Sequence, residues 1–489
     1  MKNMRISRWL LGMLFPLFFS CGNQGDKLFT DELPPLYPDY INITIPYNIA
    51  PLNFIFRDSL SPAAHIEVTL KGHSGNMQCT GKGKIQFPEN RWKKFLRAEM
   101  GNDITVEVTA KINGTLITYR PFVWTVSKDP VDPYLTYRLI EPGYEVWNHI
   151  QLCERNVESF SERAFADSHL VNNDCMNCHI PGSQNPNLSF FHIRGENGGT
   201  ILNRDGKLRK INIRIKEMPA AAIYGNLHPS GRYGVFSSNI VIPAFHAQSQ
   251  PKLEVYDKAS DLLVVDFDNN HVIRSPLVSG DDRLETFPSF SADGKRIYFC
   301  GAHAVSLPDE IRQLKYSLCA IDFDAEQGTL GNHVDTLVNM SGADGKSVSF
   351  PRQSPDGRFL LFCVSDYGTF PIWHRETDLV MMDLKTGKTL NLDQVNSNYS
   401  DTYHSWSSNS RWFVFASKRD DGIYGKPYFA YVEEDGTVRK PFVLPQRDPY
   451  YYDYTLKSFN VPELMSGKLP FTESDIEKIF KEGQLETVN

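Results

Sequence analysis

Cys175 and Cys178 stand three residues apart and His179 follows the second directly, within Asp174-Cys175-Met176-Asn177-Cys178-His179. Two thiols at this spacing can each add to one vinyl group of a haem, while the adjacent imidazole stands under the iron as proximal ligand. Eight cysteines and thirteen histidines in 489 residues give roughly a 0.3% expectation of one accidental Cys-x-x-Cys-His. The expectation is one covalent haem c on Cys175 and Cys178, with His179 on the iron. A local Cys175–Cys178 disulfide and half of a zinc site are the other chemistries this spacing admits. Zinc has no second Cys-x-x-Cys or His-x-x-x-His to complete four ligands.

A sixth iron ligand would have to come from elsewhere. His192, thirteen residues on, is the nearest histidine downstream. His149, His169, His246, Met218 and Met77 are alternatives, as is an open position. Arg194 is placed to pair with a propionate or to sit on the surface. No hydrolase constellation is present: Gly-x-Ser-x-Gly is absent. The carboxylate pairs Asp281-Asp282 and Asp420-Asp421 read as solvated turns. An electron carrier or binding protein is expected rather than an enzyme.

The elements that must position the motif come next. Ile150, Val157, Phe160, Ala164 and Phe165 have a spacing that predicts a helix over about 147–170, delivering the chain to Cys175. Trp147, Phe160 and Phe165 would then wall one haem face or pack on a neighbouring sheet. At the start, Lys2, Arg5 and Arg8 precede an apolar run that ends in Phe18-Phe19-Ser20-Cys21-Gly22. This stretch, 1–21, resembles a bacterial lipoprotein signal, implying export and a lipid anchor at Cys21; an ordinary cleaved signal peptide is the alternative. Export agrees with c-type attachment, which takes place outside the bacterial cytoplasm, and permits disulfides. Cys300, Cys319 and Cys363 lie in apolar strand-like runs and are expected as buried free thiols; Cys79 and Cys153 remain open as a pair.

The net charge of −7 has no long runs, which argues against a nucleic-acid partner. Aromatic content of 12% and many Asp-Gly and Asn-Gly turns point to a mainly β protein of two or three domains. After a tether over 22–37, the alternation over 38–130 predicts a small immunoglobulin-like β-sandwich. It includes a hairpin through Asn113-Gly114. A linker and the Cys-x-x-Cys-His segment occupy 131–196, and Thr472 begins a short C-terminal helix within 471–489.

Between these lies a repeat. His228-Pro229-Ser230-Gly231-Arg232, Ser291-Ala292-Asp293-Gly294-Lys295 and Ser354-Pro355-Asp356-Gly357-Arg358 each lead into an alternating strand. Ser407-Ser408-Asn409-Ser410-Arg411 is a degenerate fourth copy. Such units stack in a ring because no blade can bury its faces alone. The Ser/Pro-Asp-Gly-Lys/Arg turn resembles the β-propeller repeats of the TolB type, and 197–470 is read as a five- or six-bladed propeller. The whole arrangement resembles exported lipoproteins that join a Cys-x-x-Cys-His segment to a TolB-like propeller.

That resemblance implies protein binding at the propeller face rather than a defined reaction. Two readings follow. One is a membrane-anchored extracytoplasmic monohaem cytochrome, with the propeller docking a redox partner. The other is a propeller scaffold without haem that binds proteins in an envelope assembly or translocation complex. Both place the chain in the cell envelope, at the outer membrane facing the periplasm or the cell surface.

Overall fold

The computed structural model describes residues 27–57, 64–141, 149–245, 253–340 and 345–489. The lipoprotein-like segment with Cys21, and also Trp147 and His246, lie outside the described residues.

The chain is mainly β. Among the described residues from Tyr134 onward it forms six units of four antiparallel strands, taken here as blades I to VI, the second of which also carries Leu485–Thr487 as a parallel fifth strand. Blade II runs Met176–Gly182, Asn185–Ile193, Gly199–Arg204, Lys207–Asn212. Blades III to VI begin with the inner strands Ala222–Leu227, Arg283–Phe290, Ser347–Gln353 and Asp401–Trp406. A single bridge, Ser260 to Leu284, joins blades III and IV. Blade I is built from both ends of this region: Ser458–Met465 pairs antiparallel with Tyr134–Ile140, followed outward by Gln151–Asn156 and Glu162–Asp167. Each inner strand lies beside the next, and Ser458–Met465 lies beside Met176–Gly182, which brings the sixth blade back to the second through the first. The architecture is propeller-type, and the blades start some sixty residues earlier than 197.

The repeat turn has a physical basis in every copy. Gly231, Gly294, Gly357 and Ser410 all take left-handed φ, between 61° and 77°. Their N–H groups donate to the carbonyls of His228, Ser291, Ser354 and Ser407. Ser291 Oγ accepts from Arg296 N at 2.9 Å, and Ser354 Oγ accepts from Phe359 N at 2.9 Å, so the serine pins the turn to the strand it launches. Blade II replaces this turn with a two-residue hairpin in which Ser183 and Gln184 both have positive φ.

Three expectations are corrected. The segment over 147–170 is not a helix: its described part forms the strands Gln151–Asn156 and Glu162–Asp167 and the 3₁₀ turn Ser168–Val171. Asn156 decides this, because its Oδ1 accepts from Glu158 N at 3.0 Å and from Ser159 Oγ at 3.1 Å, closing a turn where a helix would need to continue. Residues 27–130 form a seven-stranded mixed sheet, with a second three-stranded sheet and the helix Glu89–Ala98, rather than an immunoglobulin-like sandwich over 38–130; Lys27–Phe29 and Leu36–Tyr37 are strands of these sheets, where a tether was expected. The helix buries Trp92 and Leu96, and two strand pairs run parallel. The Asn113-Gly114 hairpin is present as expected.

The N-terminal sheet shares one apolar core with blades I, V and VI. Asp132 accepts from Ser408 N at 2.8 Å and Ser408 Oγ at 2.6 Å, and Trp412 Nε1 donates to Asp129 O at 2.9 Å. The helix Glu473–Glu482 starts at a capping box between Thr472 and Asp475 and buries Ile476 and Phe480 against the core between blades I and II. Among the described residues no helix is long and apolar enough to cross a membrane.

Candidate functional site

Every inner strand breaks register, in blade III at its start. The breaks fall between Asn177 and Ile180, Ala222 and Tyr224, Thr286 and Ser289, Ser349 and Arg352, and Thr402 and Ser405. The closing strand does so opposite Thr136 and Arg138. At these bulges Cys178, Phe287, Phe350, Tyr403 and Val461 take left-handed φ of 46–57°. A side chain other than glycine pays for that conformation, and a bulge re-aims a side chain. Here the outcome is shared: these five residues, with Tyr224, Arg138 and Arg352, line a cavity of about 110 Å³ where the inner strands converge.

The Cys-x-x-Cys-His motif is the blade II version of this bulge. Cys178 occupies the place of Phe287, Phe350, Tyr403 and Val461, and faces the same cavity. His179 occupies the place of Pro288, Pro351, His404 and Pro462, and turns away from the axis. Its ring packs against Phe165, with centroids 6.4 Å apart, in a space of about 10 Å³ lined also by Phe191, Met465, Leu469 and Phe471. Neither ring nitrogen completes a hydrogen bond of good geometry, the backbone groups of Thr136 and Val461 standing beside the ring, and burial pushes the imidazole down to about 3 against their pull. Cys175 lies in the apolar core between blades I and II, where its Sγ accepts from Asn177 Nδ2 at 3.7 Å. The seven described cysteines are free thiols, so neither Cys175–Cys178 nor Cys79–Cys153 is a disulfide. Cys300, Cys319 and Cys363 are buried as expected. Burial pushes the Cys178 thiol up to about 11.

These surroundings do not fit a haem. The macrocycle needs both sulfurs at its edge and the imidazole under its centre, in a pocket of roughly 300–1,000 Å³. Cys178 opens onto a cavity of about 110 Å³, while His179 points into packed side chains with about 10 Å³ to spare. His192 does not supply an opposing ligand. It packs on Phe190 and Phe236 at 5.3 and 6.0 Å, toward blade III, and its Nδ1 meets Thr200 Oγ1 at 2.9 Å. Met218 is buried in the blade II–III core and Met77 in the N-terminal core. His149 and His169 lie together elsewhere, with ring centroids 5.2 Å apart. Arg194 is exposed. Phe165 packs against Phe191 and Phe471.

Sequence reasoning missed Arg138, Tyr224, Phe287, Phe350 and Tyr403. A signal was present: an aromatic residue stands four positions before His228, Ser291, Ser354 and Ser407, the first residue of each repeat turn. The cavity is polar where it matters. Arg138 makes no ion pair among the described residues, its buried Nε lacks a partner, and so does Oδ1 of Asn177, which also lines the cavity. Arg352 also borders a second cavity of about 270 Å³ with Ser183, Asn226, Trp406 and Glu463. Burial pushes the Glu463 carboxyl up to about 7, although Arg352 stands 3.7 Å away and pulls the other way.

No protein-family model matches the chain, and a comparison with curated proteins gives no match. Solved structures share its propeller-type character at low similarity. The tricorn protease gives a TM-score of 0.36 at 13% identity over 70% of this chain and 34% of its own. The periplasmic gluconolactonase PpgL of Pseudomonas aeruginosa gives 0.36 at 14% identity, over 64% and 96%. Prolyl oligopeptidase B from Galerina marginata gives 0.35 at 10%, over 63% and 44%. The chain thus spans about a third of the tricorn protease. Likeness at this level assigns no activity.

Proposed function

We propose that the protein is a propeller-type scaffold that binds a protein partner at its axis, within an envelope assembly to which the segment ending at Cys21 would tether it. The supporting observation is the convergence of Arg138 with the aromatic bulge residues on one cavity. A guanidinium without a counter-ion complements an anionic group carried on a peptide, and the Asn177 amide oxygen beside it is open to a peptide N–H. The second cavity, at Arg352 and Glu463, extends the axial surface on which a chain segment would lie.

In this reading Cys178 and His179 are packing residues of blade II, and no electron-transfer step is assigned to them. The test is a photo-crosslinking residue at Ser183, which is exposed beside the second cavity, in cells making the full chain. A discrete cross-linked protein that disappears with Arg138→Ala supports the proposal. Cross-linking that is absent, or unchanged by Arg138→Ala, overturns it. Maturation in a host with c-type haem machinery adds a second arm. A covalent haem lost with Cys178→Ala would restore the cytochrome reading.

A further inference from the structure

His149, Asp167 and His169 are brought together on the outer part of blade I, away from the axis. One donor atom from each lies within 4.8 Å of those of the other two. The local fold explains the meeting. Gln151 pairs with Asp167 across the two outer strands, and Ser168 N donates to Ile150 O at 3.0 Å, so His149 lies across from the turn that carries His169. Asp167 caps that turn: its Oδ1 accepts from His169 N at 3.0 Å, and its Oδ2 from Gln151 Nε2 at 2.9 Å. Asn172 and Asn173 follow in left-handed conformation, which sets Asn173 Oδ1 3.0 Å from His169 Nδ1. An imidazole that donates through Nδ1 to an amide oxygen presents the lone pair of Nε2, the arrangement found behind metal-bound histidines.

We propose that these three residues bind a divalent transition-metal ion of zinc type, with solvent completing the coordination. Two imidazoles and one carboxylate suit zinc and its neighbours, and are poor for calcium or magnesium, which take oxygen donors. Ligands about 2.0–2.1 Å from zinc stand roughly 3.3 Å apart in a tetrahedron. The side chains therefore have to draw in, and none of the three is fully buried. Lys457 is the resident competitor. Its Nζ lies 3.2 Å from His149 Nδ1 and 3.5 Å from Gln151 Oε1, and must leave when His149 turns a lone pair to the metal. Lys457 immediately precedes the closing strand Ser458–Met465, so the ion would release one tie between the two ends of blade I and fasten His149 to the turn that carries His169.

The test titrates metal-free full-length protein with Zn²⁺ against a chromophoric chelator, and with Co²⁺ for its spectrum. One saturable ion per chain is expected, with a cobalt spectrum that lacks thiolate charge transfer. His169→Ala and Asp167→Asn should each weaken binding by at least about tenfold, Cys178→Ala should leave it unchanged, and Lys457→Met should strengthen it. No saturable binding overturns the proposal, as does binding that is lost with the cysteine variant or carries a sulfur-to-cobalt band. Lys457→Met guards against misreading a folding defect, because a gain of affinity cannot come from one.

Discussion

His179 in blade II and His404 in blade VI hold the same place, one residue after the bulge of an inner strand, and differ in what their ring nitrogens find. His404 Nε2 meets Leu361 O at 2.9 Å, and its Nδ1 meets Cys363 Sγ at 3.8 Å. Both nitrogens of His179 are buried without a completed bond. Burial holds both imidazoles near 3. Proline fills this place at 288, 351 and 462, so the position itself requires no side-chain polarity and no N–H donor. The difference teaches that His404 is a well-bonded core residue, whereas His179 is a packing residue that the backbone at Thr136 and Val461 holds only in poor hydrogen-bond geometry.

The largest effect that would sharpen this comparison is in stability. His404→Ala removes a well-formed buried hydrogen bond and leaves a cavity, and should cost about 3 kcal/mol, while His179→Ala mainly opens a cavity and should cost about half that. Urea unfolding at pH 7.5 measures both, and equal losses would erase the distinction. Acid should also act on both. Unfolded, each imidazole takes a proton near 6.5; folded, it resists until about 3. Their contribution is therefore complete above pH 6.5 and falls between 6.5 and 3, by up to about 1.4 kcal/mol per pH unit for each ring. His179→Phe and His404→Phe should each flatten that part of the profile.

Glu463 has the opposite sign. Its folded value, about 7, lies above its ordinary 4.5, so it favours the fold at low pH and loses that contribution as pH rises from 4.5 through 7. Glu463→Gln should raise stability by about 1–2 kcal/mol at pH 8 and by nothing near pH 4, read from paired melting curves. The smallest effect belongs to His179→Pro, which restores the residue of three other blades and should change stability by less than about 1 kcal/mol. A large loss there would mean that the His179 nitrogens serve something beyond packing. Alkylation sharpens the same point: with its thiol held near 11, Cys178 should react with iodoacetamide at pH 8 far more slowly than in urea.

How much of this was legible follows from range. The Ser-x-Asp-Gly turns are written in local sequence, because a left-handed residue and a hydroxyl two to five positions away suffice to build them. Blades III to VI, the buried thiols of Cys300, Cys319 and Cys363, and the capped C-terminal helix were therefore readable. Blades I and II were not, since blade II turns on Ser183-Gln184 and blade I takes its inner strand from some 320 residues away. The apolar spacing from Ile150 to Phe165 suits a helix and a tight hairpin alike, and the Asn156 turn decides between them.

By itself the sequence determined a mainly β chain, its repeat unit and the presence of Cys175, Cys178 and His179 at a haem-like spacing. Only the tertiary structure decided what that spacing does. A strand bulge sends Cys178 to the axis, His179 between blades I and II, and Cys175 into their apolar core, because successive residues of a strand face opposite ways. The convergence of the inner strands gathered Arg138 and the aromatic residues from five separate strands, and the outer hairpin of blade I set His149, Asp167 and His169 side by side, although the sequence over 147–170 reads as a helix.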